Sequence, residues 1–156
     1  MIAYLETRNE STLVKRLVRQ GILLALAQRV CEDEGMVADA EISVLFCDDA
    51  VMQELNKHHR GEDRSTDVLA FPQDDMIVGG RTLLGDIVIS LEMVAHRCDN
   101  NRAVMRQEVK LLFCHGLLHL LGYDHDTAEG QAEMAGKQAG YLGISSEAAW
   151  PVLHAE

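Results

Sequence analysis

Three of the chain's seven histidines fall inside one short stretch, "FCHGLLHLLGYDHD", residues 113–126. They are His115, His119 and His125, spaced by four and then by six. On an α-helix, residues four apart lie about 40° apart around the axis and roughly 6 Å along it. His115 and His119 therefore point the same way and can share one ion. His125 cannot reach that ion if the helix continues. Gly122 resolves this, because glycine accepts the backbone conformation that ends a helix and so lets "YDH" fold back. Three imidazoles leave a fourth position on the ion open, the arrangement of a catalytic zinc rather than a closed structural one. One zinc ion (Zn2+) per chain is the expected cofactor, although imidazole suits nickel and iron as well. Asp124 lies in the same turn. It is a candidate to orient a ligand histidine from behind, and equally a plain turn or capping aspartate.

The residue after the first histidine bears on the substrate. In peptidases of the H-E-x2-H type, a glutamate there takes a proton from the metal-bound water and passes it to the leaving amine. This chain has Gly116 at that position, so amide hydrolysis loses its proton shuttle. Phosphodiester cleavage depends more on charge neutralisation, positioning and a nucleophile. Zinc lowers the pKa of its bound water to about 7 and polarises a phosphoryl oxygen. The pattern thus tilts from peptide toward phosphate, with water or a ribose hydroxyl both open as nucleophile. No G-x4-G-K-[ST] loop occurs, and no nucleotide cofactor is expected.

The stretch "HGLLHLLGYDH" (115–125) resembles the signature of the YbeY family, bacterial single-strand-specific endoribonucleases of rRNA maturation. "RGEDRSTDVLAFP" (60–72) resembles that family's arginine-containing segment ahead of a strand, and "LGDIVIS" (84–90) its later strand. The resemblance implies a three-histidine zinc site at His115, His119 and His125, and a functional arginine matched by Arg60. A guanidinium can clamp a phosphate and stabilise charge in the transition state. Arg60 and His115 are accordingly the expected catalytic residues. Two positions depart from the family pattern: Ser65 stands where a proline is common, and Ala70 where a serine is common. The resemblance further implies action at the 3′ end of small-subunit rRNA and in ribosome quality control. The implied partners are rRNA, the small ribosomal subunit and its assembly factors.

The formal net charge of −11 opposes non-specific binding of nucleic acid through bulk electrostatics. Any RNA must be held by a metal or by local basic patches. Lys57, His58, His59, Arg60 and Arg64 cluster near the proposed phosphate clamp, and Arg102, Arg106 and Lys110 recur every four residues. Lys57, Arg60, Arg64, Arg106 and Lys110 are the RNA-binding candidates, weighed against a solvated face paired with the many carboxylates. Local positive charge on an acidic protein favours RNA already docked in a ribosomal particle over free RNA. Two rivals to the nuclease reading are a zinc metalloprotease-like hydrolase, and a ribosome-assembly factor in which zinc is structural and not catalytic.

The elements that must carry these residues follow from pattern. At 156 residues the chain is long enough for one domain, expected over 1–156, with a real core. Aromatic residues make up only 4%, so that core must be aliphatic. Strands are expected at 2–8, 41–47, 67–71 (ended by Pro72) and 83–90. Ser11 or Thr12 can cap a helix reaching to about Glu34, with Leu13, Val14, Leu17, Val18 and Leu24 on its buried side. Asp48 caps a short helix over 49–59, and 60–66 reads as a loop. Residues 73–82 read as a mobile connection or hairpin tip. A short helix follows the strand at 83–90. The strongest helix covers 100–121, ended by Gly122. Thr127 caps a last helix, which Gly130, Gly136 and Gly140 weaken.

The order β-α-β-α-β-β-α-α-α gives an α+β fold, with a small mixed sheet of about four strands and helices packed on it. The metal site is expected at the C-terminal end of the long central helix. No apolar run long enough for a membrane span and no signal-peptide pattern occurs, so the expected location is cytoplasmic. Cys31, Cys47, Cys98 and Cys114 lack C-x-x-C spacing and are expected as free thiols.

Overall fold

In the computed structural model, residues 1–11, 17–61 and 66–150 are described, excluding the side chains of Arg60, of residues 74–76 and of Val78. Among these residues, nine elements follow the expected order: β1 (Ala3–Asn9), α1 (Gln20–Asp33), β2 (Asp39–Cys47), α2 (Asp49–Arg60), β3 (Val68–Val78), β4 (Arg81–Ser90), α3 (Leu91–Arg97), α4 (Arg102–Leu120) and α5 (Ala128–Leu142). The four strands form one mixed sheet in the order β1-β2-β4-β3. β1 and β4 each run parallel to β2, and β3 closes an antiparallel hairpin with β4.

Alternation along β2 divides the apolar residues between two faces. Ala40, Ile42, Val44 and Phe46 join the main core with Leu23 and Val30 of α1 and Leu112 and Leu117 of α4. Leu45 and Cys47 join a smaller cluster with Met52 of α2, Leu69 and Val88. Helix α4 is buried without interruption from Leu111 to Leu118, so it is the central helix of the domain. The four cysteines are free thiols, and three are buried.

Several boundaries differ from those read in the sequence. Helix α1 begins at Gln20, behind an extended Arg19, not at residue 11 or 12. Gln20 explains the start: its Nε2 donates to the Leu5 carbonyl at 2.7 Å, tying the first turn to β1. The buried face is Leu23, Leu26, Ala27, Val30 and Cys31, and Leu24 is only partly buried. Leu17 is buried, whereas Thr12, Leu13 and Val14 lie outside the described residues.

Asp48 stands at the N-cap of α2 but makes no side-chain cap bond. Its carboxylate accepts the Ser11 hydroxyl at 2.6 Å, while Glu92 Oε1 takes the Asp49 N–H at 2.9 Å. Arg60 is the last residue of α2 and not part of a loop, with Gly61 at φ 71° as the C-cap.

Pro72 does not end β3. The strand runs on to Val78 because β3 is an edge strand with one side unpaired, where proline is tolerated, and the register with β4 shifts between Pro72 and Met76. Gly79 and Gly80, at φ 60° and 80°, make the two-residue turn that returns the chain into β4. Opposite Pro72, a Cβ on Gly85 would lie 2.1 Å from the Phe71 carbonyl oxygen, so only glycine allows this pairing.

Candidate metal centre

Two capping motifs frame the histidine stretch. The Asn101 side chain accepts from the Val104 N–H and starts α4. At the other end Leu121 is the C-cap, the Gly122 N–H donates to His119 O, and the Tyr123 N–H donates to Leu118 O, each at 3.0 Å. This is the paired closure that requires positive φ after the cap, and Gly122 has φ 101°. The chain then folds back, as the glycine at 122 predicts. Thr127 Oγ1 accepts the Gly130 N–H at 2.9 Å and opens α5. A Cβ on Gly130 would sit 2.5 Å from the Asp124 carbonyl oxygen, so this glycine lets the returning loop lie against α5.

The result brings the three histidines together. One ligand atom from each of His115, His119 and His125 lies within 4.8 Å of the others. Ring centroids are 4.6 Å apart for His115 and His119, 4.9 Å for His119 and His125, and 5.3 Å for His115 and His125. His115 is fully buried, and the other two are half-buried.

Hydrogen bonding fixes which nitrogens face the centre. Gln138 donates its Nε2 to the Ala149 carbonyl, leaving Oε1 as an acceptor 2.9 Å from His115 Nδ1. The Tyr123 carbonyl stands 2.9 Å from His119 Nδ1. Both partners are acceptors, so each Nδ1 carries a proton and each Nε2 is the nitrogen turned toward the centre. The two Nε2 atoms lie 3.1 Å apart. Two imidazole nitrogens this close share a cation, either a proton or a metal ion. Two nitrogens on a tetrahedral zinc stand about 3.3 Å apart, given bonds of about 2.05 Å. The donor set, its outer hydrogen bonds and this spacing fit a zinc ion.

Trp150 packs edge-on against His115 and His125, with centroids at 5.2 and 5.3 Å, and walls the centre with an apolar surface. Neither Gln138 nor Trp150 is among the residues expected from sequence. Gln138 did leave a trace, since it sits four residues after Met134 and three before Tyr141 on the buried stripe of α5. A glutamine on an apolar stripe asks for a partner.

Asp124 is exposed, and its Oδ1 accepts the backbone N–H of His125 at 2.6 Å, the turn-forming role. Hydrogen bonds from Asp126 and then from the His125 backbone hold its carboxyl below the usual range. Gly116 faces the sheet. A Cβ there would lie 2.9 Å from Ile87 Cγ2, so the position that carries glutamate in H-E-x2-H peptidases is here pressed against a buried strand.

The basic candidates are more dispersed. Lys57 is exposed on α2, and Arg60 ends that helix, its side chain outside what is described; Arg64 lies outside the described residues. Arg106 is exposed and Lys110 half-buried on α4. Nine residues of helix separate Arg106 from His115, which puts them about 180° apart around the axis. RNA touching both would have to wrap α4.

The comparisons agree with this geometry. The family model for endoribonuclease YbeY matches residues 5–144. The chain is 41% identical over 123 residues to the endoribonuclease YbeY of Moorella thermoacetica, covering 74% of this chain and 79% of the relative. It is 39% identical over 127 residues to that of Pelotomaculum thermopropionicum, covering 79% and 84%. Its structure is similar to the solution structure of TM1509 from Thermotoga maritima, with TM-score 0.58 and 27% identity over 88% of this chain and 86% of that one. The chain belongs to the YbeY endoribonuclease family.

Proposed function

We propose that this protein is a zinc-dependent, single-strand-specific endoribonuclease of rRNA maturation. It is a hydrolytic endonuclease acting on RNA, in keeping with the family and with its relatives. The observation that carries the metal reading is the convergence of His115, His119 and His125, with the Nε2 atoms of the first two 3.1 Å apart. A zinc ion held there would supply a Lewis acid to a phosphoryl oxygen and activate the attacking nucleophile.

The chain's own residues do the rest. His115, His119 and His125 hold the ion, and Gln138 and the Tyr123 carbonyl orient two of the rings. Arg60, at the end of α2, contacts phosphate, and Lys57 and Arg64 are further contacts to the RNA strand. Arg106 and Lys110 are remote contacts on the other side of α4. A single metal-dependent endoribonuclease domain spans 1–156. Its setting is the cytoplasm, its substrate the 3′ end of small-subunit rRNA, and its partners the small subunit and assembly factors, where it also serves ribosome quality control. No helix among the described residues is long and apolar enough to cross a membrane.

His115→Ala tests this reading. Zinc content and RNA cleavage are expected to fall together. Cleavage at the wild-type rate by zinc-free His115→Ala protein would contradict it.

A further inference from the structure

Glu34 follows α1 as its C-cap residue, far in sequence from the histidine stretch. Its side chain is only 10% exposed, and three donors converge on it. The Tyr123 hydroxyl donates to Oε1. Lys137 Nζ donates to Oε2 at 3.0 Å. The Tyr141 hydroxyl lies 2.7 Å from Oε2 and 2.6 Å from Asp33 Oδ2. Burial works to raise the Glu34 pKa, but the hydrogen bonds from Tyr123, Tyr141 and Lys137 outweigh it and hold the carboxyl below its usual range. The same contacts, from Glu34 first and then Tyr123, raise Lys137 to about 12. This is a charged cluster joining α1, α5 and the loop that follows α4.

Tyr123 connects that cluster to the histidines. Its hydroxyl is held by Glu34, its N–H closes α4 on Leu118 O, and its carbonyl accepts from His119 Nδ1 at 2.9 Å. A tyrosine anchored at its hydroxyl and its N–H has little freedom to rotate its carbonyl. That carbonyl sets the tautomer and the ring orientation of His119, and the third ligand follows two residues on. We propose that Glu34 is a positioning residue for the metal centre, acting through Tyr123. This rests on the three histidines holding a metal.

A plain stabilising contact between helices would make a different prediction. Tyr141 shares the Glu34 carboxylate but has no bond to the loop, so it separates the two roles. Zinc affinity of the full chain, read by competition with a chromophoric chelator, is expected to fall about 10–100-fold in Glu34→Ala and in Tyr123→Phe. The visible spectrum of the cobalt-loaded protein should shift in both. Glu34→Gln, which keeps an acceptor, should fall between these variants and wild type. Tyr141→Phe should lose thermal stability yet bind zinc within about twofold of wild type.

Wild-type affinity in folded Glu34→Ala and Tyr123→Phe overturns the proposal, as does an equal loss in Tyr141→Phe. If Glu34→Ala fails to fold, Tyr123→Phe against Tyr141→Phe decides alone. A wild-type chain that binds no zinc overturns the metal reading itself. Normal zinc binding by wild type with unchanged variants overturns only the role of Glu34.

Discussion

His115 Nδ1 lies 2.9 Å from Gln138 Oε1, and neither side chain meets solvent. The pair joins α4 to α5 and turns His115 Nε2 toward His119. Gln138→Leu keeps the volume but removes the acceptor. Zinc affinity is expected to fall about 10–100-fold, because the ring loses the partner that sets its tautomer. The stranded N–H should cost about 1–3 kcal/mol of stability in urea unfolding. Unchanged affinity in folded Gln138→Leu would remove this role.

Gly116 and Gly136 make a matched pair for the packing account. Any larger side chain in place of Gly116 would need a Cβ 2.9 Å from Ile87 Cγ2, on a β-branched side chain with 0% exposure that cannot turn away. Gly116→Glu is therefore expected to destabilise the fold by more than about 3 kcal/mol and to confer no peptidase activity on casein. Gly136 lies exposed on α5, with nothing within 4 Å of an added Cβ. Gly136→Ala should stabilise by about 1 kcal/mol through helix propensity alone. Urea denaturation of the two variants checks both signs.

These variants also mark the limit of what the sequence could tell. The meeting of the three histidines and the helix stop at Gly122 were legible, because four-residue spacing and a glycine break act locally. Gly116 was legible as a missing glutamate, but its packing role depends on Ile87 of β4. Gln138 and Glu34 were not found, since each meets its partner across a large separation in sequence that no local period encodes. The passage of β3 through Pro72 was likewise hidden. Proline reads as a stop unless the strand is known to lie at an edge. Helix α1 was drawn too early because its true start is set by Gln20 reaching back to β1.

The cysteines predict a pH response. Burial, the largest cause in each case, pushes the thiols of Cys47 and Cys114 up to about 12 and that of Cys31 up to about 11, from 9.0. The folded values exceed the unfolded one, so the stability these thiols contribute is complete below pH 9.0 and is lost as pH rises toward 12. At pH 8 a chromogenic disulfide reagent is expected to modify half-buried Cys98 alone, slowly, because burial and then Glu108 raise its thiol too. The other three should react only on unfolding. Fast reaction of all four in the native protein would contradict the packing.

The net charge predicts a preference among RNA substrates. At −11 the chain repels free polyanions. Cleavage of rRNA within ribosomal particles is expected to outrun cleavage of the same sequence as naked single strands, and the gap should narrow as salt screens the repulsion. Equal rates at low salt would show that bulk charge does not select the substrate.

The most direct test of the central claim is a zinc titration into chelator-stripped protein, read as cleavage of single-stranded RNA. The three-histidine centre predicts that cleavage is absent at the start, rises with added zinc and saturates at one ion per chain. Full cleavage by the stripped protein, or none at any zinc level in folded protein, would contradict it.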